Sequence, residues 1–348
     1  MKILHVIAGS VNSEELRFHG STKDIRCRTE FFKTLGFTVN EIVVVKKADK
    51  IIKQFKKMDL REYRFIVFDL SGSYPDALCY VKKASPNSVL VFRAQNPEFF
   101  HRIDWMFAEK TLGKKLLGLK RALVGLYRDI RTVYYADYVL PIADWDTSHY
   151  WKWLGWQKKI VTVPYFLPME YLSDTAEGIK KDKLCVCFSA ILLTPLMVDA
   201  INNFTGLVEA LGDRCGDWRF DIVGNTIDVN SHHSRIHAMG VLDSPFEIIH
   251  RAHAVAIFTD YGRGFKTKIM EAIHARAFVL VTPALIKRLP REVLPYCISV
   301  RKNSAEDFQR ALDRSMEPYP SGDPNSALRA RAFEAMSGIF ARPSVRTT

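Results

Sequence analysis

Short, continuously apolar runs alternate along this chain with longer stretches in which apolar residues recur every three or four positions. Lys2–Ala8, Thr38–Val45, Phe65–Leu70, Ser88–Arg93, Tyr138–Ile142 and Ile160–Val163 have the unbroken hydrophobicity expected of strands covered on both faces. Lys23–Leu35 has helical spacing and ends at Gly36. A second series follows Ser173–Lys183, a polar, lysine-containing stretch that reads as an interdomain linker. Its predicted strands are Leu184–Ser189, Arg219–Val223, Ala254–Phe258 and Ala277–Val281, and its predicted helices Met197–Leu211, Pro245–Ala252, Lys268–Ala275 and Ala305–Met316. Repeated strand-helix-strand order predicts an α/β fold of two tandem Rossmann-like doubly wound domains, 1–166 and 167–326, facing a cleft. After the Pro/Gly/Ser-rich stretch Glu317–Ser326, a last helix over Ala327–Phe340 would pack back on the first domain. In such folds ligands bind beyond the carboxyl ends of the strands, so the loops there are the place to look for chemistry.

Composition narrows the class. The 348 residues are 48% hydrophobic and 25% charged, which excludes a disordered or fibrous chain and suits two domains of ordinary size. No apolar run is long enough for a membrane-spanning helix, and Met1–Gly9 lacks a small-residue cleavage site, so it reads as a first strand. Cys27, Cys79, Cys185, Cys187, Cys215 and Cys297 have no metal-ligand spacing. They read as reduced structural thiols of a cytoplasmic protein.

The net charge of +12 is unevenly divided: residues 1–166 carry +11 and residues 167–348 only +1. The first half therefore attracts anions, whether phosphate-bearing substrates, acidic lipid or an anionic glycan. Nucleic acid is not expected, because no helix-turn-helix, zinc or RNA-recognition pattern is present.

The most informative stretch is Asp260–Ala272, which follows a predicted strand and opens a predicted helix. Its Gly262, Gly264, Phe265, Lys266, Thr267 and Lys268 combine backbone access with positive charge at a helix start, as a diphosphate site requires. Glu271, one turn later, could accept the two hydroxyls of a ribose. The same pattern also suits a solvated basic turn, and no P-loop or GxGxxG pattern accompanies it.

In sequence, Gly240–Thr282 resembles the donor-binding region of GT-B glycosyltransferases, in particular the retaining family-four (group 1) enzymes. Further segments match in order: Met1–Val45 with His19-Gly20-Ser21-Thr22 and Leu35-Gly36-Phe37-Thr38-Val39, Tyr135–Val139, Leu154-Gly155-Trp156, Lys159–Pro164, Phe188–Phe204, and Phe220-Asp221-Ile222-Val223-Gly224-Asn225. The resemblance implies a metal-independent, retaining hexosyl transfer without a cofactor. It would use a UDP- or GDP-sugar as co-substrate and a glycan or lipid-linked acceptor, as in polysaccharide biosynthesis. It also implies donor contacts from Gly224, Asn225, Arg263, Gly264, Phe265, Lys266, Thr267, Lys268 and Glu271, and acceptor contacts from Gly9, Ser10 and Gln95. Asn96, His101 and Lys266 would be the catalytic set. Read from its own segment, His101 fits a helix-surface histidine better than a cleft residue.

Two departures bear on the donor. Arg263 stands where the family has a glutamate eight residues before Glu271, and Ile191–Asp199 lacks the usual basic pair. Lys266, Lys268 and the Arg263 guanidinium would supply the missing charge. A nucleotide-sugar epimerase and a non-catalytic binding subunit are the alternatives.

Arg102–Arg131 interleaves Lys110, Lys114, Lys115, Lys120, Arg121, Arg128 and Arg131 with Leu112, Leu116, Leu119, Leu123, Leu126 and Ile130 at helical steps. This predicts an amphipathic helix whose apolar face either packs on its own domain or meets an anionic membrane surface. Lys50–Lys57 forms a second cationic cluster, and the four tryptophans of Trp145–Trp156 suit core, sugar stacking or interfacial anchoring alike.

Overall fold

A computed structural model describes residues 1–9, 16–44, 48–70, 72–109, 111–155, 157–172, 179–188, 195–225, 233–261 and 263–341. Ser10, Lys110, Trp156, Gly262, the start of the expected linker and the first four residues of Ile191–Asp199 lie outside the described residues.

The first sheet contains β1 (Lys2–Ala8), β2 (Thr38–Val44), β3 (Phe65–Asp69), β4 (Val89–Ala94) and β5 (Tyr138–Pro141), all parallel, in the order β2-β1-β3-β4-β5. The second contains β6 (Asp182–Phe188), β7 (Arg219–Val223), β8 (Ile236–Gly240), β9 (Ala252–Ile257), β10 (Phe278–Val281) and β11 (Cys297–Ser299), again parallel, in the order β11-β10-β9-β6-β7-β8. These are the two common doubly wound orders, with switch points between β1 and β3 and between β6 and β9. The central strands are buried because helices cover both faces, and most of their side chains are apolar: Ile3, Leu4, Val6 and Ile7 have no solvent exposure.

The predicted strands are found with shifts of a residue or two, except Ile160–Val163. That segment runs beside β5 with one bridge, between Ile160 and Val139, and donates from the Val161 and Val163 N–H groups to the Val139 and Pro141 carbonyls, while the Val163 carbonyl accepts from Arg93 Nη1 at 2.6 Å. β8 and β11 were not anticipated. Both are short edge strands, and β8 is largely exposed, so neither carries an apolar run.

The helices of the first domain are α1 (Gly20–Thr34), α2 (Ala48–Phe55), α3 (Pro75–Ala84), α4 (Glu98–Ala108), α5 (Leu112–Tyr135) and α6 (Asp144–His149). Those of the second are α7 (Pro195–Leu211), α8 (Phe246–Arg251), α9 (Lys268–His274), α10 (Pro283–Ile286) and α11 (Ala305–Arg314). A final helix, α12 (Pro324–Phe340), is capped by Asp323 and returns to the first domain, where Phe340 packs among Phe31, Phe32, Phe37 and Phe65.

The amphipathic segment Arg102–Arg131 is two helices rather than one. α4 and α5 pack face to face at the positions of Gly118 and Gly125, where an added Cβ would lie 2.9 Å from Met106 Cβ and 3.2 Å from the backbone at Glu98 and Phe99. The buried side of α5 is accordingly small and polar, with Ala122, Gly125, Asp129, Thr132 and Val133, while the leucine face points to solvent.

α1 is unusual in the opposite sense, since it buries charge. Arg28 donates to both Asp24 and Asp69, Arg93 of β4 donates to Asp24 at 2.6 and 3.0 Å, and His5 lies 3.2 Å from Asp69. Every member is buried. Such a network is tolerated inside a protein when each charge is paired and each fork satisfied, and the two guanidinium forks fix helix against sheet. The Asp24 carboxyl is accordingly far below its usual range: burial opposes ionisation, but the two guanidinium groups outweigh it.

Candidate functional site

The segment after β9 sits at the switch point of the second sheet and meets the loop after β4 of the first. The contact is close. Gly264 has φ +73°, and an added Cβ would come 2.4 Å from the Gln95 carbonyl oxygen and 2.5 Å from the Asn96 side-chain amide. Turned to donate, that amide reaches the Arg263 carbonyl at 2.6 Å. The Gly264 N–H donates to Asp146 Oδ2 at 2.9 Å, and Gln95 Nε2 donates to Asp24 at 3.3 Å. Gln95 and Asn96 are thus brought together with the glycine turn, as the sequence placed them, across the two domains.

Arg263 is committed to the first domain. Its guanidinium lies 4.9 Å from the ring centres of both Phe100 and Trp145, and its Nε is 3.4 Å from Asp104. The aromatic pair and carboxylate of α4 and α6 thus draw Arg263, expected among the donor contacts, into an interdomain contact. It also separates the tryptophans, because Trp145 stacks on Arg263, Trp151 is core and Trp153 is exposed.

Behind this contact Lys266 and Arg288 interact with Asp104, Asp146 and each other. Burial and Arg288 push the Lys266 ammonium down to about 8, against the pull of the two carboxylates. Burial raises Asp146 to about 6, opposed by the Gly264 N–H and then by the Arg263 charge. Arg288 donates from Nη2 to the Asp260 carbonyl at 3.0 Å and from Nε to the Ala284 carbonyl at 3.2 Å. His101, on α4, is lowered to about 4 by burial, Arg102 and Lys266, and its buried Nδ1 has no hydrogen-bond partner among the described residues. Its ring is thus largely covered, within electrostatic reach of Lys266.

Glu271 is fully buried on α9 and held by two ammonium groups, Lys23 of α1 on Oε1 and Lys268 on Oε2 at 2.9 Å. Burial alone would raise its carboxyl, but the two lysines hold it below the usual range. Lys23 is pushed down to about 8 by burial, with Glu271 pulling the other way. Lys268 also lies 4.6 Å from the Phe188 ring at the end of β6. Phe265 packs on Tyr165 at 5.6 Å, and the Thr267 hydroxyl sits 3.0 Å from where a Cβ on Gly20 would lie, at the start of α1.

The remaining expected residues that are described follow strands. Gly224 follows β7 and donates to the Gly240 carbonyl at 2.7 Å, with Asn225 next to it, and Gly9 follows β1 beside Val43 and Val44. Lys23, Asp104, Asp146 and Arg288 are the cleft residues the sequence reading missed. A signal existed for Lys23, which is in phase with Cys27 and Phe31 on the buried side of α1. Asp104, Asp146 and Arg288 come from three separate segments and carry no local signature.

No protein-family model matches the chain, and no curated protein matches it in sequence. Solved structures match over nearly its whole length. HepE of Anabaena in complex with UDP is 15% identical with a TM-score of 0.56, covering 98% of this chain and 96% of that one. The lipopolysaccharide outer core galactosyltransferase WaaB is 12% identical with a TM-score of 0.56, covering 98% and 99%. Sucrose-phosphate synthase from Thermosynechococcus elongatus is 11% identical with a TM-score of 0.63, covering 98% and 95%. The fold is thus the GT-B arrangement of two facing Rossmann-like domains.

Proposed function

We propose that the protein is a glycosyltransferase that moves a sugar from a nucleoside-diphosphate sugar to a glycan or lipid-linked acceptor, with retention at the anomeric carbon. The observation that carries this reading is the meeting of the two domains at Gly264 against Gln95 and Asn96, with Lys266 beside Arg288 and within electrostatic reach of His101. Cations oppose the charge that develops on a departing diphosphate, and amides suit sugar hydroxyls. In the reaction the bond from the anomeric carbon to the diphosphate oxygen breaks. A bond to the acceptor oxygen forms on the same face, and the acceptor proton passes to the leaving phosphate. No protein base is needed. Lys266 and Arg288 take the charge-neutralising role of the basic pair missing from Ile191–Asp199, and Arg263 holds the domains in register. HepE, which shares the fold, binds UDP and so supports the donor class.

A catalytically silent nucleotide-binding protein is the second reading, favoured by Glu271 already accepting from two lysines. Calorimetry with UDP, GDP and their sugars, followed by a hydrolysis panel, tests both. Lys266→Ala and Arg288→Ala should each weaken nucleotide binding by about ten- to a hundredfold, the worth of one charged hydrogen bond. Binding without turnover on any donor and acceptor would select the second reading, and unchanged affinity in both variants would remove the site.

A further inference from the structure

The face of α5 that looks most suited to a protein core is the face left outside. Leu112, Leu116, Leu119, Leu123, Tyr127, Ile130 and Tyr134 advance by three or four residues along nearly the whole helix. Leu112 is 74% exposed, Leu116 61%, Leu123 56% and Tyr127 59%. Leu116, Leu119, Lys120, Leu123, Val124 and Tyr127 line a shallow apolar hollow on this face. An apolar stripe of this extent on the surface of a monomeric protein marks something that covers it.

The charges beside the stripe say what that cover is. Lys114, Lys115, Lys120, Arg121, Arg128 and Arg131 are the cations of α5, and its one acidic residue, Asp129, is fully buried on the opposite side. The exposed surface of the helix therefore carries no anion at all. Glu109 lies 3.8 Å from Lys114 and Asp76 2.8 Å from Arg131, at the two ends of the stripe, so a second copy seated here would still set the cations at its centre, Lys120, Arg121 and Arg128, against their like, which disfavours self-association. α2 packs on α3 and α3 on α5, so exposed Lys50 and Lys53, followed by Lys56 and Lys57, belong to the same layer.

We infer that α5 is an in-plane anchor by which the protein docks on an anionic lipid bilayer, its leucine and tyrosine side chains entering the headgroup boundary and its lysines and arginines contacting acidic headgroups. Among the described residues no helix is long and apolar enough to cross a membrane, so the attachment is to one face. The inference rests on α5 alone and stands whatever the cleft transfers. If the cleft does transfer sugar, it makes a lipid-linked acceptor the fitting one of the two acceptor classes.

The test is flotation of the full-length protein with phosphatidylcholine vesicles and with vesicles in which phosphatidylglycerol replaces part of the phosphatidylcholine. Binding should require the anionic lipid and be lost at high salt. Lys120→Gln/Arg128→Gln should weaken it roughly twenty-five-fold, at about five-fold per surface cation. Leu116→Ser/Leu123→Ser should abolish it, while the thermal midpoint and UDP binding of both variants stay at wild-type values, since all four side chains are exposed. Amides of Leu112–Tyr135 should gain exchange protection on anionic vesicles only. Equal binding to both vesicle types, binding to neither, or wild-type binding by the serine variant would overturn the inference. So would a dimer in sedimentation that the serine substitutions dissolve, which would assign the face to a second copy.

Discussion

Lys23 of α1 donates to Glu271 of α9 across the two domains, and neither side chain has any solvent exposure. This pair joins the helix that organises the first domain to the residue expected to read the donor. Removing Glu271 strands the buried Lys23 charge, a cost of about 3–5 kcal/mol, whereas removing Lys23 leaves Glu271 paired with Lys268. Glu271→Gln should destabilise by an amount in that range, Lys23→Met by less, and Lys23→Met/Glu271→Gln by less than the sum of the single changes. Urea unfolding of the cycle measures this, and additivity within about 0.5 kcal/mol would mean that the two groups do not interact in solution.

Gly264→Ala should separate the domains. The new methyl would need both a left-handed backbone, costing about 1 kcal/mol, and room that the Gln95 carbonyl occupies. Small-angle scattering should show a larger radius of gyration and calorimetry a weaker nucleotide affinity, with each isolated sheet still folded by circular dichroism. A variant with wild-type dimensions and affinity would show that the close contact is dispensable.

Asp129, buried beneath α5, accepts from Ser73 Oγ at 2.6 Å and Tyr150 Oη at 2.7 Å, yet burial raises its carboxyl to about 7. A folded-state value above the unfolded one means stability that is fully present below about pH 4 and lost as pH rises toward 7. The slope is about 1.4 kcal/mol per pH unit at most. Asp129→Asn should flatten that part of the profile, and thermal midpoints recorded from pH 4 to 8 in wild type and variant give the comparison.

Lys266 titrates near 8, so its charge is lost as pH rises through that value. Nucleotide affinity should fall above pH 8 toward that of Lys266→Ala, and Lys266→Arg should move the fall beyond the accessible range. A bound diphosphate would raise the lysine and shift the midpoint upward, which titration of the complex by calorimetry at two pH values will register. Equal pH dependence in wild type and Lys266→Ala would place the titrating group elsewhere.

The doubly wound fold was readable because its strands are continuous apolar runs and its turns carry glycine, and Gly264 through Glu271 was readable because its chemistry is contiguous. What escaped was assembled at a distance. Asp104, Asp146 and Arg288 meet only when α4, α6 and the segment after β10 converge. Nothing local announces that Phe100 and Trp145 will flank Arg263. α5 was left open for another reason: hydrophobic periodicity locates an apolar face but not what faces it, and the side that packs is built of Gly118, Ala122, Gly125 and Asp129.

Those two glycines have a bearing on the cleft they never touch. They fix how near α4 lies to α5, and α4 carries His101 and Asp104 while the loop leading into it carries Gln95 and Asn96. A methyl group at position 118 or 125 would shift α4 as a unit and carry that loop with it against Gly264. The gauge of the interdomain gap is therefore set from the outer layer of the molecule. A change there would leave both sheets intact and still present donor and acceptor groups at the wrong spacing.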